Sequence, residues 1–148
     1  MLTELGYDRV DVLGLSWGGA VAQHFAAFQR DRCRRLVLVA TATGTLMVPP
    51  SPSVLARMVP PQRYLDRGYR YQLAAGAGWT SVPFLPWLRQ PTLIVSGDDD
   101  PLIPLANARL MHLLIPKSRL HVYQGGHLGL VTEAATLAPV VDAFLAAR

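Results

Sequence analysis

Four short apolar runs alternate with helical patterns along this chain, and this alternation restricts the fold more than any other feature. The runs cover residues 10–15, 36–41, 92–97 and 120–124. The first three are nearly continuous in Val, Leu, Ile and Ala, which is typical of strands buried on both faces of a parallel sheet. Strands that alternate with helices form right-handed βαβ units. The sequence therefore predicts an α/β fold with a mostly parallel sheet flanked by helices.

Helical patterns stand between or after these runs. Residues 20–28 are rich in Ala with bulky side chains on one side, and residues 104–115 carry Leu at helical spacings. Residues 132–147 begin with a Thr-Glu pair suited to capping. These three segments are the predicted body helices.

The stretch between the second and third strands has a different composition. Residues 44–90 are rich in Pro and aromatic residues and are longer than an ordinary loop. We predict that this stretch is a helical cap insertion, with helices at 53–58 and 67–75. The predicted core then consists of residues 1–43 and 91–148.

Composition predicts a globular protein without a transmembrane segment. The chain has 148 residues, of which 51% are hydrophobic, and its apolar runs are too short to span a bilayer. The first residues lack the features of a signal peptide, and Cys33 is the single cysteine, so a cytoplasmic location is expected.

The net charge of the chain is +4, and its basic residues are most concentrated at residues 30–35. No aromatic residue interleaves this basic cluster, so we expect a solvated turn rather than a nucleic-acid surface.

The segment Gly14-Leu-Ser-Trp-Gly18 stands where the first strand becomes the first helix, and it matches G-x-S-x-G. A serine hydroxyl that projects from the top of a sheet requires a strained backbone. Close approach of the next helix is expected to exclude side chains at Gly14 and Gly18. The helix N-terminus also supplies donors, and the backbone N–H of Trp17 is placed to stabilise an oxyanion. We predict that Ser16 is a nucleophile.

A serine nucleophile needs a base, and the chain has four histidines. His127 lies in a Gly-rich turn just past the last strand, where α/β folds place functional side chains. His24 and His112 fall within predicted helices, and His121 falls within a strand, which favours structural roles. We predict that His127 is the base.

A carboxylate must orient such a histidine, and Asp98, Asp99 and Asp100 follow the third strand. A solvated turn or a helix cap is the alternative role for this run. A metal site is a further alternative, but no His or Cys is near and the spacing does not fit a calcium loop. We therefore predict neither a metal nor a cofactor.

Serine, acid and histidine in this chain order, each after a separate strand, make the sequence resemble the α/β-hydrolase superfamily. In that family the acid commonly lies three residues past a strand-ending glycine, with a proline four residues later. Gly97, Asp100 and Pro104 fit this pattern, so the resemblance selects Asp100. It implies a Ser-His-Asp triad of Ser16, His127 and Asp100.

More specific strings look like those of intracellular poly(3-hydroxyalkanoate) depolymerases: "GLSWGGAVAQHFA", "AGAGWTS", "DDDPLIPL" and "GGHLGLVTEA". This resemblance implies a serine hydrolase that cleaves ester bonds in a polyester, with a polymer granule surface as a partner. The cap would shape acyl-chain binding, although packing of its aromatic residues onto the body is an equal alternative. The cap side chains that suit an apolar polymer are Trp79, Phe84, Leu85, Trp87 and Leu88.

The sequence departs from this family in two respects. The resemblance implies that the strands before residues 10–15, and a loop with the second oxyanion donor, are absent, and that the cap is shortened near residues 65–67. A truncated chain of this kind would leave one edge of the first strand free for self-association into a homo-oligomer. Three functions stay open: an esterase or depolymerase, a catalytically impaired binding or assembly module, and an acyltransferase or peroxide-using relative with the same triad.

Overall fold

The computed structural model describes residues 2–58 and 67–147. Four strands pair in parallel and in chain order: β1 (Val10–Leu15), β2 (Cys33–Val39), β3 (Thr92–Gly97) and β4 (Ser118–Tyr123). The helices are α1 (Trp17–Phe28), α2 (Pro52–Met58), α3 (Arg67–Gly76), α4 (Leu105–Leu114), α5 (Gly129–Thr132) and α6 (Ala134–Ala146). The predicted α/β class with a parallel sheet is confirmed.

The sheet separates two apolar layers, because successive side chains of a strand point to opposite faces. Leu36 and Leu38 of β2 pack with α1 and α4 on one face. Val37 and Val39 of the same strand pack with α6 on the other face. The residues of β3 alternate in the same way, so both central strands are buried on both faces, as predicted.

β1 differs from the central strands because it lies at one edge of the sheet. Most of its residues are only partly buried, and the side chain of Leu13 is 46% exposed. The prediction that β1 is buried on both faces is therefore wrong. Among the described residues, no strand pairs with its outer edge. Self-association through this edge stays a prediction.

The basic segment 30–35 is not simply a solvated turn. Arg30–Arg32 form a short 3₁₀ turn, but β2 already begins at Cys33, three residues earlier than predicted. Arg35 therefore lies within the strand and is buried. β2 also ends early, because Ala40 adopts a positive φ of 45°.

The last predicted helix is divided. α5 ends at Thr132, and α6 begins at Ala134 after Glu133 leaves the helical conformation with φ −111° and ψ 27°. No side chain caps the start of α6, so the predicted capping by the Thr-Glu pair is wrong.

The segment between β2 and β3 leaves the sheet, forms α2 and α3, and returns to the body. Residues 59–66 of the predicted cap lie outside the described residues. An isolated antiparallel bridge joins Gly44 to Thr80 where the segment leaves and returns. Leu85 and Leu88 are fully buried with α1 and α4. These two leucines therefore belong to the core and do not face a polymer, which corrects the sequence-based expectation.

Candidate active site

Three polar side chains from separate strand ends meet at the carboxyl edge of the sheet. Ser16 follows β1, Asp100 follows β3 and His127 follows β4. Ser16 Oγ lies 2.9 Å from His127 Nε2, and His127 Nδ1 lies 2.8 Å from Asp100 Oδ2. Because the carboxyl ends of parallel strands share one edge, residues far apart in sequence come within hydrogen-bonding distance. The structure thus brings together all three side chains that the sequence singled out.

Ser16 occupies a strained turn between β1 and α1. Its φ is 51° and its ψ is −119°, a conformation that residues with a side chain rarely adopt. Two hydrogen bonds hold this conformation, because the N–H of Ser16 donates to the carbonyl of Val39 and its carbonyl accepts from Gly19, both at 2.9 Å. The strained serine predicted from the motif is confirmed.

The glycines around Ser16 have different roles. A Cβ at Gly14 would overlap the carbonyl of Gly18, as predicted. A Cβ at Gly18 would meet nothing within 4 Å, so the prediction that Gly18 must lack a side chain is wrong. The close approach occurs instead at Gly19, where a Cβ would overlap the side chain of Thr41. The helix thus turns Gly19, rather than Gly18, toward the sheet.

The backbone N–H of Trp17 stands at the start of α1, next to Ser16. The first N–H groups of a helix have no intrahelical acceptor, and the helix dipole makes this end partially positive. This position suits a developing negative charge on an oxygen bound at Ser16.

Asp100 is anchored on both carboxylate oxygens. Its Oδ1 accepts hydrogen bonds from the N–H groups of Leu102 and Ile103, each at 2.9 Å, and its Oδ2 contacts His127. Burial raises the pKa of Asp100, but the hydrogen bonds from His127 and the two N–H groups outweigh burial and hold the pKa below its ordinary value. Asp100 is therefore a carboxylate at neutral pH.

Tyr123, a residue that sequence reasoning missed, stabilises the loop that carries His127. The Tyr123 hydroxyl donates a 2.7 Å hydrogen bond to the carbonyl of Gly126. The ring fits because Gly129 has no side chain; a Cβ there would overlap it. A tyrosine ending the last strand, followed by three closely spaced glycines, was the sequence signal available for this support.

The same loop is also hydrogen-bonded to the residues that directly follow β3. Asp98 Oδ1 accepts a 3.0 Å hydrogen bond from the N–H of Gly125, and the N–H of Asp99 donates to the carbonyl of Gly125 at 3.2 Å. A Cβ at Gly97 would overlap that same carbonyl. The acidic run therefore has two separate roles, since Asp98 supports the loop and Asp100 contacts the imidazole.

A cavity of about 720 Å³ opens beside Ser16. Its wall is formed mainly by apolar side chains of α1 and of the segment between β2 and β3, as is usual for small-molecule sites. A Cβ at Gly76 of α3 would overlap the ring of Trp17, so this wall is tightly packed there. The residues around the cavity include Trp17, Val21, His24, Met47, Ala75, Gly76, Trp79 and Ile103.

The three aromatic residues predicted to bind substrate lie in different environments. Trp79 lines the cavity. Phe84 packs against the core layer and edge-on to the ring of Phe28. The side chain of Trp87 is 61% exposed and does not line the cavity. Of the three, only Trp79 lines the cavity that Ser16 also lines.

The remaining histidines do not reach Ser16. His24 lines the cavity wall, and its ring packs against that of Phe28 at an angle of 32° with centroids 4.4 Å apart. His112, near the end of α4, has its Nδ1 2.8 Å from Ser118 Oγ, and His121 lies within β4.

Across residues 2–58 and 67–147, no three His, Cys, Asp or Glu side chains are grouped as metal ligands. Within the same residues, every helix is too short or too polar to cross a bilayer.

Comparison with known proteins gives consistent matches. Residues 1–78 and 61–134 match the family model for the alpha/beta hydrolase fold. A poly(3-hydroxyalkanoate) depolymerase of Ectopseudomonas oleovorans is 42% identical over an alignment of 180 positions, gaps included, that covers 98% of this chain and 64% of that protein. A 2-hydroxy-6-oxo-2,4-heptadienoate hydrolase of Pseudomonas putida is 28% identical over an alignment of 188 positions, gaps included, that covers 100% of this chain and 67% of that protein.

Solved structures show the same likeness at the level of the fold. The enol-lactonase from Burkholderia xenovorans superposes with a TM-score of 0.80 at 23% identity, covering 99% of this chain and 69% of that one. This chain therefore spans about two-thirds of the length of the relatives that it matches.

Proposed function

The chain belongs to the α/β-hydrolase fold family, and on that premise we propose that it is a serine hydrolase that cleaves carboxylic ester bonds. One observation carries the proposal: Ser16, on a strained turn, is hydrogen-bonded to His127, which is hydrogen-bonded to Asp100. A hydroxyl, an imidazole and a buried carboxylate in this order form the arrangement that activates a serine for acyl transfer.

The proposed reaction proceeds in two halves. Ser16 Oγ attacks the ester carbonyl while His127 Nε2 takes the hydroxyl proton, and that proton then passes to the departing alcohol. The acyl group remains on Ser16. In the second half, His127 takes a proton from water, the hydroxide attacks the acyl-enzyme, and the carboxylic acid leaves as Ser16 regains its proton. Asp100 holds the Nδ1–H tautomer throughout and stabilises the imidazolium.

The tetrahedral intermediates carry a negative oxygen, and the N–H of Trp17 is the proposed donor to it. Its place at the start of α1 supports this role, because the N–H has no intrahelical acceptor and lies at the positive end of the helix dipole. A donor that is fixed before the reaction needs no reorganisation when the charge develops.

For the substrate, we propose an ester with an apolar acyl chain, such as a segment of a poly(3-hydroxyalkanoate). The apolar cavity of about 720 Å³ beside Ser16 supports this choice, as does the similarity to the depolymerase. Trp79 and the small residues of α3 would contact the acyl chain. Residues 44–90 would then act as the cap that shapes the acyl site.

Covalent labelling with a fluorophosphonate tests the nucleophile directly. We expect the chain to be labelled and Ser16→Ala to be unlabelled, while Ser53→Ala, which removes an exposed hydroxyl in α2, labels normally. Hydrolysis of p-nitrophenyl esters from acetate to dodecanoate should fall roughly a thousandfold or more in Ser16→Ala. A folded chain that is neither labelled nor active would overturn the proposal.

Product analysis separates hydrolysis from acyl transfer. With water and an alcohol as competing acceptors, the proposed hydrolase releases free acid as its main product. Predominant formation of a new ester would instead identify an acyltransferase that uses the same three residues.

A further inference from the structure

A second cavity, of about 390 Å³, opens at the amino ends of β2, β3 and β4. It lies at the opposite edge of the sheet from Ser16, so it belongs to a different surface. Three cationic side chains line it, together with the ring of Phe144 and with Pro91: Arg35, Lys117 and Arg119.

Strand register brings these cations together. Leu36 pairs with Thr92, and Thr92 pairs with Ser118. Paired residues in neighbouring strands point to the same face, and residues two apart in one strand also share a face. The residues that directly precede Leu36, Thr92 and Ser118 in the chain are Arg35, Pro91 and Lys117, so these three also lie side by side. Arg119, two residues after Lys117, adds a third cation to this face of the sheet.

Arg35 is the buried member of the group, with only 9% of its surface exposed. Its guanidinium lies 5.3 Å from the centre of the Phe144 ring, and its Nη2 donates to the carbonyl of Ala147 after α6. The buried Nε has no hydrogen-bond partner. These contacts fix the plane of the guanidinium without neutralising its charge.

No carboxylate among the described residues forms an ion pair with Arg35, Lys117 or Arg119. The neighbouring Arg34 shows the contrast, because its guanidinium is paired with Asp11. Concentrating like charges, one of them buried, is costly unless an opposite charge compensates them. The cavity therefore holds a concentrated positive charge that no ion pair with a carboxylate of residues 2–58 and 67–147 compensates.

We propose that this cavity binds a small oxyanion, namely the phosphate group of a small molecule. A planar guanidinium offers paired donors that match phosphate oxygens, and Lys117 and Arg119 add two exposed cations. Three positive charges favour a dianion over a monoanion. The ring of Phe144 and Pro91 provide apolar walls for the organic part that carries the phosphate.

Calorimetric titration of the full chain with inorganic phosphate tests this site, with sodium chloride added to keep the ionic strength constant. The double variant Lys117→Gln/Arg119→Gln leaves Arg35 and its packing in place. Its matched control, Arg57→Gln/Arg109→Gln, removes two exposed charges outside the cavity. Far-UV circular dichroism verifies that both variants fold.

We expect saturable binding of phosphate that weakens tenfold or more in the first variant and is unchanged in the control, because charge-assisted hydrogen bonds are lost only in the first. Acetate, a monoanion, should bind more weakly than phosphate. No saturable binding, equal weakening in both variants, or equal affinity for acetate would each overturn the proposal. The titration measures phosphate binding alone, so its result does not depend on whether the chain hydrolyses esters.

Discussion

The hydroxyl of Tyr123 donates a 2.7 Å hydrogen bond to the carbonyl of Gly126, the residue that directly precedes His127. Tyr123 ends β4 and is almost entirely buried, so it links a rigid strand to the loop that positions the imidazole. Burial also raises the pKa of Tyr123, with further contributions from the nearby carboxylates of Asp100 and Glu133. The hydroxyl therefore stays protonated and available as a donor at neutral pH.

Removing this hydroxyl should impair catalysis more than folding. In Tyr123→Phe, the loss of one hydrogen bond is expected to cost about 1 kcal/mol of unfolding free energy. A small displacement of a reacting group slows the chemical step, so kcat for ester hydrolysis should fall by roughly tenfold while KM is retained. Steady-state kinetics and urea unfolding measure the two effects. A rise in KM with kcat unchanged would contradict a positioning role.

Asp100→Asn should reduce kcat by about three to four orders of magnitude, because a neutral amide does not stabilise the imidazolium or hold the same tautomer. The amide oxygen can still accept the two backbone N–H groups, but the charge that strengthens these bonds and the acceptor for His127 are lost, so stability at neutral pH should fall by about 1–3 kcal/mol. Asp99→Asn, which changes an exposed neighbour, is the control and should be near neutral on both measures.

The stability difference should disappear in acid. The folded-state pKa of Asp100 is lower than its ordinary value, so its contribution is fully present above about pH 4. It is lost as the pH falls through the lower folded-state pKa. Urea unfolding of the parent and of Asp100→Asn across this range should therefore converge below pH 4. A constant difference down to the lowest pH would rule out this linkage.

Gly76→Val should shorten the acyl chains that the site accepts. A side chain at Gly76 would overlap the ring of Trp17, and both residues line the cavity beside Ser16, so the added atoms should reduce its volume. We expect kcat/KM for long-chain p-nitrophenyl esters to fall by roughly tenfold or more, while hydrolysis of the acetate ester is largely retained. Ala74→Val, an exposed position of α3 outside the cavity wall, is the control. Uniform loss across all esters would argue against a specificity role.

Gly18 and Gly19 should respond oppositely to alanine. Gly19→Ala would force a methyl group into Thr41, so unfolding free energy should fall by about 1–3 kcal/mol. Gly18→Ala meets open space in a helix and should gain about 0.5–1 kcal/mol. Thermal and urea unfolding give the sign of each change, and equal destabilisation by both variants would contradict the contacts described above.

Cys33 should be inert in the folded chain. Burial raises the pKa of its thiol to about 11, with a further rise from Asp11 that Arg9 partly opposes. The thiolate is the reactive form, so Ellman's reagent at pH 8 should react slowly with the native protein and rapidly in guanidinium chloride. Fast stoichiometric reaction of the native chain would show that β2 opens at its amino end.

The amino-acid pattern was sufficient for the fold class and for the choice of Ser16 and His127, and the family resemblance selected Asp100 from the acidic run; the catalytic roles of all three are proposals. It also predicted the bounds of β1 and β3, because apolar runs bounded by turn residues are a local signal. Residue order alone placed the three polar side chains after separate strands, and parallel pairing then required that they meet at one edge.

Other properties depend on which surfaces come into contact, and no local pattern specifies this. Gly19 rather than Gly18 faces the sheet because of how α1 crosses β2. Leu85 is in the core while Trp79 lines the cavity, although both lie in the same apolar segment. Arg35 is buried because Phe144, more than a hundred residues later, covers it. Close packing between distant segments decided these positions, since it depends on the separation and angle of whole elements.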